Sequence, residues 1–228
     1  MVPGRLKVAV ASDQALVAEA VRAALASRDF AAFALRWPGE QALPRPRRGP
    51  MMAPDVALLI SDLDRWARIR AASLLLSRVA TRWVVLTAAP SGPLWGAVIE
   101  AGASAVLPSD TSLDEVGEMV RRVARGELTI PVARQEELMR EWNRLREERQ
   151  ELGERMHSLT PREREVLRLL YAGDSVIEIA HLLEVSPATV RSQVKSVLRK
   201  LDVNSQLGAV AALGYLLELD PSDRRVFI

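Results

Sequence analysis

Between Pro187 and Leu201 the chain carries four basic residues, Arg191, Lys195, Arg199 and Lys200, and no acid. Long cationic donors without neighbouring carboxylates suit a polyanion, because they neutralise phosphates and, as bidentate donors, read base edges in a duplex groove. A solvated basic helix face has the same pattern, and charge alone does not separate the two. The net charge of the whole chain is only +2, so the distribution of charge says more than its total. Little else here could support covalent or metal chemistry. The 228 residues include no cysteine and only two histidines, His157 and His181, which excludes disulfides, thiol catalysis and Cys- or His-rich metal sites. His181 falls beside the apolar face of a short helix, where a packed or surface role is expected. No P-loop, G-x-G-x-x-G, G-x-S-x-G or H-E-x-x-H occurs, which argues against an enzyme.

The elements that would position the basic cluster are marked by their caps. Thr160, Pro161 and Glu163 open a helix with a capping box, Val166, Leu167, Leu169 and Leu170 form its buried face, and Gly173 ends it. Ser175 opens a second helix with Val176, Ile179, Ala180 and Leu183 on its apolar side. After a turn at Glu184, Val185 and Ser186, the third helix starts at Ser186 and Pro187. Val190, Val194, Val197, Leu198 and Leu201 share its inner face, and Arg191, Ser192, Lys195 and Arg199 its outer one.

The contiguous stretch from Leu159 to Ser205 resembles the LuxR-type DNA-binding domain of NarL/FixJ response regulators. The resemblance rests on the LTPREREVL opening, EIA in the second helix, S-x-x-T-V-R into the third, and a final L-x-K-L-x-V-x-S. It implies an all-α helix-turn-helix domain over residues 158–228 whose third helix enters the major groove of double-stranded DNA. Arg191, Ser192 and Lys195 would then lie near base edges, and Thr189, Arg199, Lys200 and Ser205 near phosphates. Gln193 stands where the family often has histidine, so base preference does not carry over. The fourth helix, Gln206–Leu217, would supply a dimer contact.

Residues 1–130 alternate apolar runs with helical patterns. Strands are predicted at Leu6–Ala11, Ala31–Leu35, Val56–Ile60, Trp83–Thr87 and Ser104–Leu107, with helices at Gln14–Ser27, Leu63–Leu76, Leu94–Ala101 and Leu113–Arg125. This order predicts an α/β, flavodoxin-like fold with a parallel sheet wrapped on both faces. The Pro- and Arg-rich stretch Trp37–Pro54 reads as a loop replacing one helix. The domain resembles the phosphoacceptor receiver that usually precedes a NarL-type output domain. Receiver chemistry implies two acids after the first strand for Mg²⁺, an aspartate ending the third strand, a Thr or Ser ending the fourth, and a lysine after the fifth. Those positions here hold Ser12 and Asp13, Ile60, Thr87 and Ser109. The nucleophile and the lysine are missing. Asp62, two residues beyond the acceptor position, is the candidate for a displaced acceptor. However, about 6–7 Å along a strand is too far for an in-line geometry set by Asp13 without remodelling, and surface carboxylates are the expected reading of Asp62 and of Asp64. A pseudo-receiver follows, not controlled by aspartyl phosphorylation and expected to need no cofactor or metal. Trp37, Trp66, Trp83 and Trp95 could line a ligand site, although core roles are commoner for tryptophan.

Residues 131–157 are highly charged. Leu138, Trp142, Leu145, Arg149, Leu152, Met156 and Leu159 are spaced alternately by four and three. Such a stripe fits either a parallel two-chain coiled coil or one amphipathic helix packed on its own domain. The coiled-coil reading makes Leu138, Trp142, Leu145, Leu152 and Met156 dimerisation residues. The expected partners are therefore double-stranded DNA, a second copy of the chain, RNA polymerase, and a small-molecule or protein input at the receiver-like domain. No membrane partner is expected, since no apolar run approaches a membrane span, and a bacterial cytoplasmic location is expected. The rival reading is an RNA-binding antiterminator built from a pseudo-receiver, a coiled coil and a small helical domain; the acid-free third helix argues against it.

Overall fold

The computed structural model describes residues 5–35, 37 and 53–219, so most of the proline- and arginine-rich stretch lies outside the described residues. The chain separates into two compact units, residues 1–144 and 145–228.

In the first unit, β1 (Lys7–Ser12), β2 (Ala31–Ala34), β3 (Val56–Ile60), β4 (Arg82–Thr87) and β5 (Ala103–Pro108) form one parallel sheet in the order β2-β1-β3-β4-β5. Their centres are near-continuous apolar runs because a parallel sheet is covered on both faces. Val8, Val10, Val56, Leu58, Val84 and Leu86 share a core with Leu25 of α1 (Ala15–Ala26) and Val116, Val120 and Val123 of α4 (Leu113–Ala124). The alternate residues Ala9, Ala57, Leu59, Trp83 and Val85 are equally buried on the opposite face. The remaining helices are α2 (Trp66–Arg78) and α3 (Pro93–Glu100). The apolar pattern places the start of α2 near Leu63, but the helix begins at Trp66. The reason is local: Leu63 is fully buried with φ 55°, a left-handed turn that no helix can contain.

The linker is a single helix, α5 (Val132–His157), and the division between the units falls inside it. Its stripe is used within the chain. In the first unit, Leu138 and Trp142 are 1% and 5% exposed. The Trp142 ring lies 4.9 Å from that of Trp66, and its Nε1 donates to Glu100 Oε2 at 2.9 Å. Gly96 of α3 makes room for this contact, since a Cβ there would stand 2.6 Å from the Leu138 carbonyl carbon and closer still to its oxygen. In the second unit, Met156 and Leu159 join a core with Leu167, Val197 and Leu213, and Leu152 packs against it. Leu138, Trp142 and Met156 are therefore not available as a dimer seam, which corrects the coiled-coil expectation; Leu145 remains half-buried. Heptad spacing specifies one apolar stripe and leaves open whose surface covers it.

The second unit continues with α6 (Pro161–Ala172), α7 (Val176–Leu182), α8 (Pro187–Leu201) and α9 (Gln206–Leu219). The expected caps are present. Thr160 and Ser175 close capping boxes with Glu163 and Glu178, Ser186 accepts from the Thr189 amide, and Gly173 takes φ 101° to end α6. Val166, Leu169, Ile179, Ala180, Val190 and Val194 form the core under α7 and α8. Among the described residues no helix is long and apolar enough to cross a membrane.

Candidate nucleic-acid interface

Helices α7 and α8 are joined by a tight turn in which Glu184 adopts φ 54°. Behind it, α8 is held by Val190, Val194, Val197 and Leu201, each at most 5% exposed. That inner stripe leaves Arg191, Ser192, Lys195 and Arg199 exposed together. The side chains of Arg191, Lys195 and Arg199 have no hydrogen-bonding or ion-pair partner among the described residues. On a surface where many arginines pair with carboxylates, a helix face of uncommitted cations holds its donors free for an external acceptor. Thr189 is exposed at the helix start, its Oγ1 2.8 Å from Ser186 Oγ. Ser205 is exposed after α8, where its Oγ accepts from the Gly208 amide at 3.0 Å and caps α9. Gln193 is half-buried.

Lys200 departs from the expectation. Its Nζ donates to Glu163 Oε2 at 2.6 Å and to the Ser158 carbonyl at 3.1 Å, so it is committed inside the unit and does not join the outward cations. Glu163 is 4% exposed and also accepts from Ser196 Oγ at 2.7 Å and the Thr160 amide at 2.7 Å. Burial alone raises its pKa. The hydrogen bonds from Lys200, Ser196 and Thr160 outweigh burial and bring it to about 2. The capping-box spacing reveals Glu163 as a local cap, but nothing in the sequence pattern links it to α8.

A second polar cluster lies at the C-terminal end of the sheet. Ser12 is buried, and its Oγ accepts from the Gln14 amide. Arg68 of α2 reaches Asp13 with Nε at 2.9 Å, Asp64 with Nη1 at 2.8 Å and Asp62 with Nη1 at 3.7 Å. Partial burial works against the guanidinium's charge, but Asp13, then Asp64 and Asp62, raise its pKa above the ordinary value. Ile60 ends β3, in register with Ser12 and Leu86, and packs on the sheet core. Thr87 is buried, donating to the Asp62 carbonyl and accepting from the Ala89 amide. Ser109 is exposed on the rim of an open cleft of about 350 Å³ lined also by Thr87, Ser91, Trp95 and Asp110. Of the other tryptophans, Trp66 and Trp83 belong to the core.

Residues 157–213 match the family model for bacterial regulatory proteins of the luxR family. A nitrate/nitrite response regulator protein homolog of Haemophilus influenzae is 32% identical over 163 residues, which cover 69% of this chain and 72% of that protein. The uncharacterized transcriptional regulatory protein YxjL of Bacillus subtilis is 30% identical over 210 residues, 90% of this chain and 94% of that one. The chain belongs to the LuxR-type transcriptional response regulators. The crystal structure of the response regulator ChrA of a heme-sensing two-component system aligns over 94% of this chain and 99% of that one, with 22% identity and a TM-score of 0.44.

As a response regulator, the chain has an apolar side chain, Ile60, at the position the resemblance assigns to the phosphoacceptor. Asp13, the acid retained after β1, faces an arginine. No sequence signal singles out Arg68, because its role depends on the start of α2 at Trp66, which brings its first turn beside Asp13.

Proposed function

We propose that this regulator binds specific duplex DNA through α8, acts as a homodimer in the bacterial cytoplasm, and takes its input without aspartyl phosphorylation. The DNA reading is carried by the exposed, uncommitted Arg191, Lys195 and Arg199 on a capped helix with no acid. Arg191, Ser192 and Lys195 would read bases; Thr189, Arg199 and Ser205 would lie along the backbone. The test is affinity for a duplex enriched by the protein from a randomised pool, with a scrambled duplex and a structured RNA as competitors. Replacing Arg191 and Lys195 together by alanine should weaken the enriched duplex by roughly 1–3 kcal/mol per base-reading residue. Unchanged affinity in that double variant, or preference for the RNA, refutes the assignment.

Independence from phosphorylation is supported by Ile60 at the acceptor position and by Arg68, whose charge already occupies Asp13, Asp62 and Asp64. Incubation with acetyl phosphate and Mg²⁺ should leave the intact mass unchanged. A gain of one phosphoryl group that disappears in Asp62→Asn refutes this part. A small-molecule or protein input would then engage the receiver-like unit, where the open cleft beside Thr87 and Ser109 offers one place for it.

The homodimer rests on α9. Between Gln206 and Leu217 this helix is apolar on nearly every side, although Leu207 is 77% and Tyr215 38% exposed. A helix apolar all round is normally covered. Leu207, Ala211 and Tyr215 recur every fourth residue on the exposed side, and a second α9 would match that stripe.

A further inference from the structure

We infer that Glu163 is a positioning residue for the recognition helix: together with Ser196 and Lys200 it sets the rotation of α8 about its own axis, and so which way Arg191 and Lys195 point. The inference rests on the reading of α8 as the DNA-contacting helix.

At roughly 100° per residue, the side chains of α8 fall into three arcs. Val190, Val194, Val197 and Leu201 make the inner arc. Arg191, Ser192, Lys195 and Arg199 make the outer one. Ser196 and Lys200, one turn apart, occupy the flank between them and are half-buried. Both converge on the one buried carboxylate of Glu163, Ser196 on Oε1 at 2.7 Å and Lys200 on Oε2 at 2.6 Å. Glu163 is anchored in turn at the first turn of α6 by the Thr160 amide, and Lys200 holds the Ser158 carbonyl just beyond α5.

An apolar stripe resists withdrawal of a helix but only weakly resists its rolling, because methyl and methylene contacts have no direction. Two directional bonds on one flank do resist it. A roll of about 20° carries a side chain some 6 Å from the axis through about 2 Å, enough to break a bidentate contact to a base. The carboxylate thus supplies what the core lacks, an angular stop. Lys200 serves recognition through Glu163 rather than through a phosphate of its own.

The full-length chain, its Lys200→Met and Glu163→Gln variants and the double variant are titrated at several salt concentrations. The probes are a duplex the wild type enriches from a randomised pool and a scrambled duplex of equal length. Positioning requires Lys200→Met to weaken the enriched duplex about tenfold and the scrambled one little, with an unchanged salt slope, and the double variant to be no worse than either single one. If instead Lys200→Met flattens the salt dependence by about one charge on both duplexes and its effect is undiminished in the Glu163→Gln background, Lys200 is a phosphate ligand and the inference fails. Ser196→Ala guards against a Glu163 variant that does not fold. It should lower the ratio of enriched to scrambled affinity, and Ser196→Thr should restore it; an unchanged ratio overturns the inference. Failure of the wild type to enrich any duplex overturns the DNA reading itself, an outcome distinct from additive variant effects.

Discussion

Gly96→Ala tests whether the linker helix belongs to its own chain. In an exposed helix this substitution stabilises, since alanine is favoured over glycine by about 1 kcal/mol. Here the added Cβ would meet the backbone of α5, with the Leu138 carbonyl carbon at 2.6 Å and Trp142 Cβ at 2.9 Å. Ordinary contact needs about 3.5 Å or more, so α5 must withdraw by roughly 1 Å as a body, because backbone atoms cannot rotate aside. Overpacking of this kind costs about 1–3 kcal/mol. Further loss comes from Trp142 and Leu138, whose full burial contributes on the order of 6 kcal/mol together; losing about a third of it adds roughly 2 kcal/mol. After the propensity gain, net destabilisation of about 2–4 kcal/mol is expected. Urea denaturation followed by tryptophan fluorescence reads it directly, because Trp66 and Trp142 are in contact. Gly153 of the same helix is the control: nothing lies within 4 Å of a Cβ built there. Gly153→Ala should therefore stabilise by about 0.5–1 kcal/mol. A Gly96→Ala protein as stable as wild type, or more so, refutes the intramolecular docking and returns the stripe to a partner chain.

Acid should weaken the second unit through Glu163. Its carboxyl falls from an ordinary 4.5 to about 2 on folding. A depressed folded pKa contributes stability that is complete above the unfolded value and lost as pH drops towards the folded one, here up to about 3 kcal/mol. Denaturation at pH 5 and pH 3 should show a steeper acid loss in wild type than in Glu163→Gln; parallel losses refute the assignment. Glu184→Gly should stabilise by about 0.5–1 kcal/mol, because glycine accepts the φ of 54° without a Cβ penalty; a lower thermal midpoint counts against that turn geometry. Removing Arg68 as Arg68→Ala leaves Asp13, whose side chain is 15% exposed, without its cation, and should cost about 1–2 kcal/mol by urea melts. No change there means the pair is only superficial. Leu207→Glu with Tyr215→Glu places like charges on the exposed side of α9 and should shift sedimentation towards monomer without altering the helical circular dichroism; an unchanged distribution rules out α9 as the contact.

The strands, caps and the basic helix α8 were legible in the sequence because each is a local matter. Near-continuous apolar runs mark strands, Thr160 with Glu163 closes hydrogen bonds over three residues, Ser175 and Ser186 precede the next two helices, and four cations without an acid are a property of one helix. That an apolar residue, Ile60, closes β3 was equally legible, since it follows from counting along the strand. Tertiary structure decided what each surface meets. The stripe from Leu138 to Met156 has the spacing of a coiled coil, yet Gly96, Trp66 and Glu100 take its first half and Val197 and Leu213 its second. Lys200 has the composition of a phosphate ligand and is instead bound to Glu163, 37 residues away. Arg68 lies 55 residues from Asp13, a separation fixed by subtraction along the chain, and becomes its counter-ion only because α2 starts late. Burial and ion pairing depend on distances across the fold, and periodicity along the chain carries no record of them.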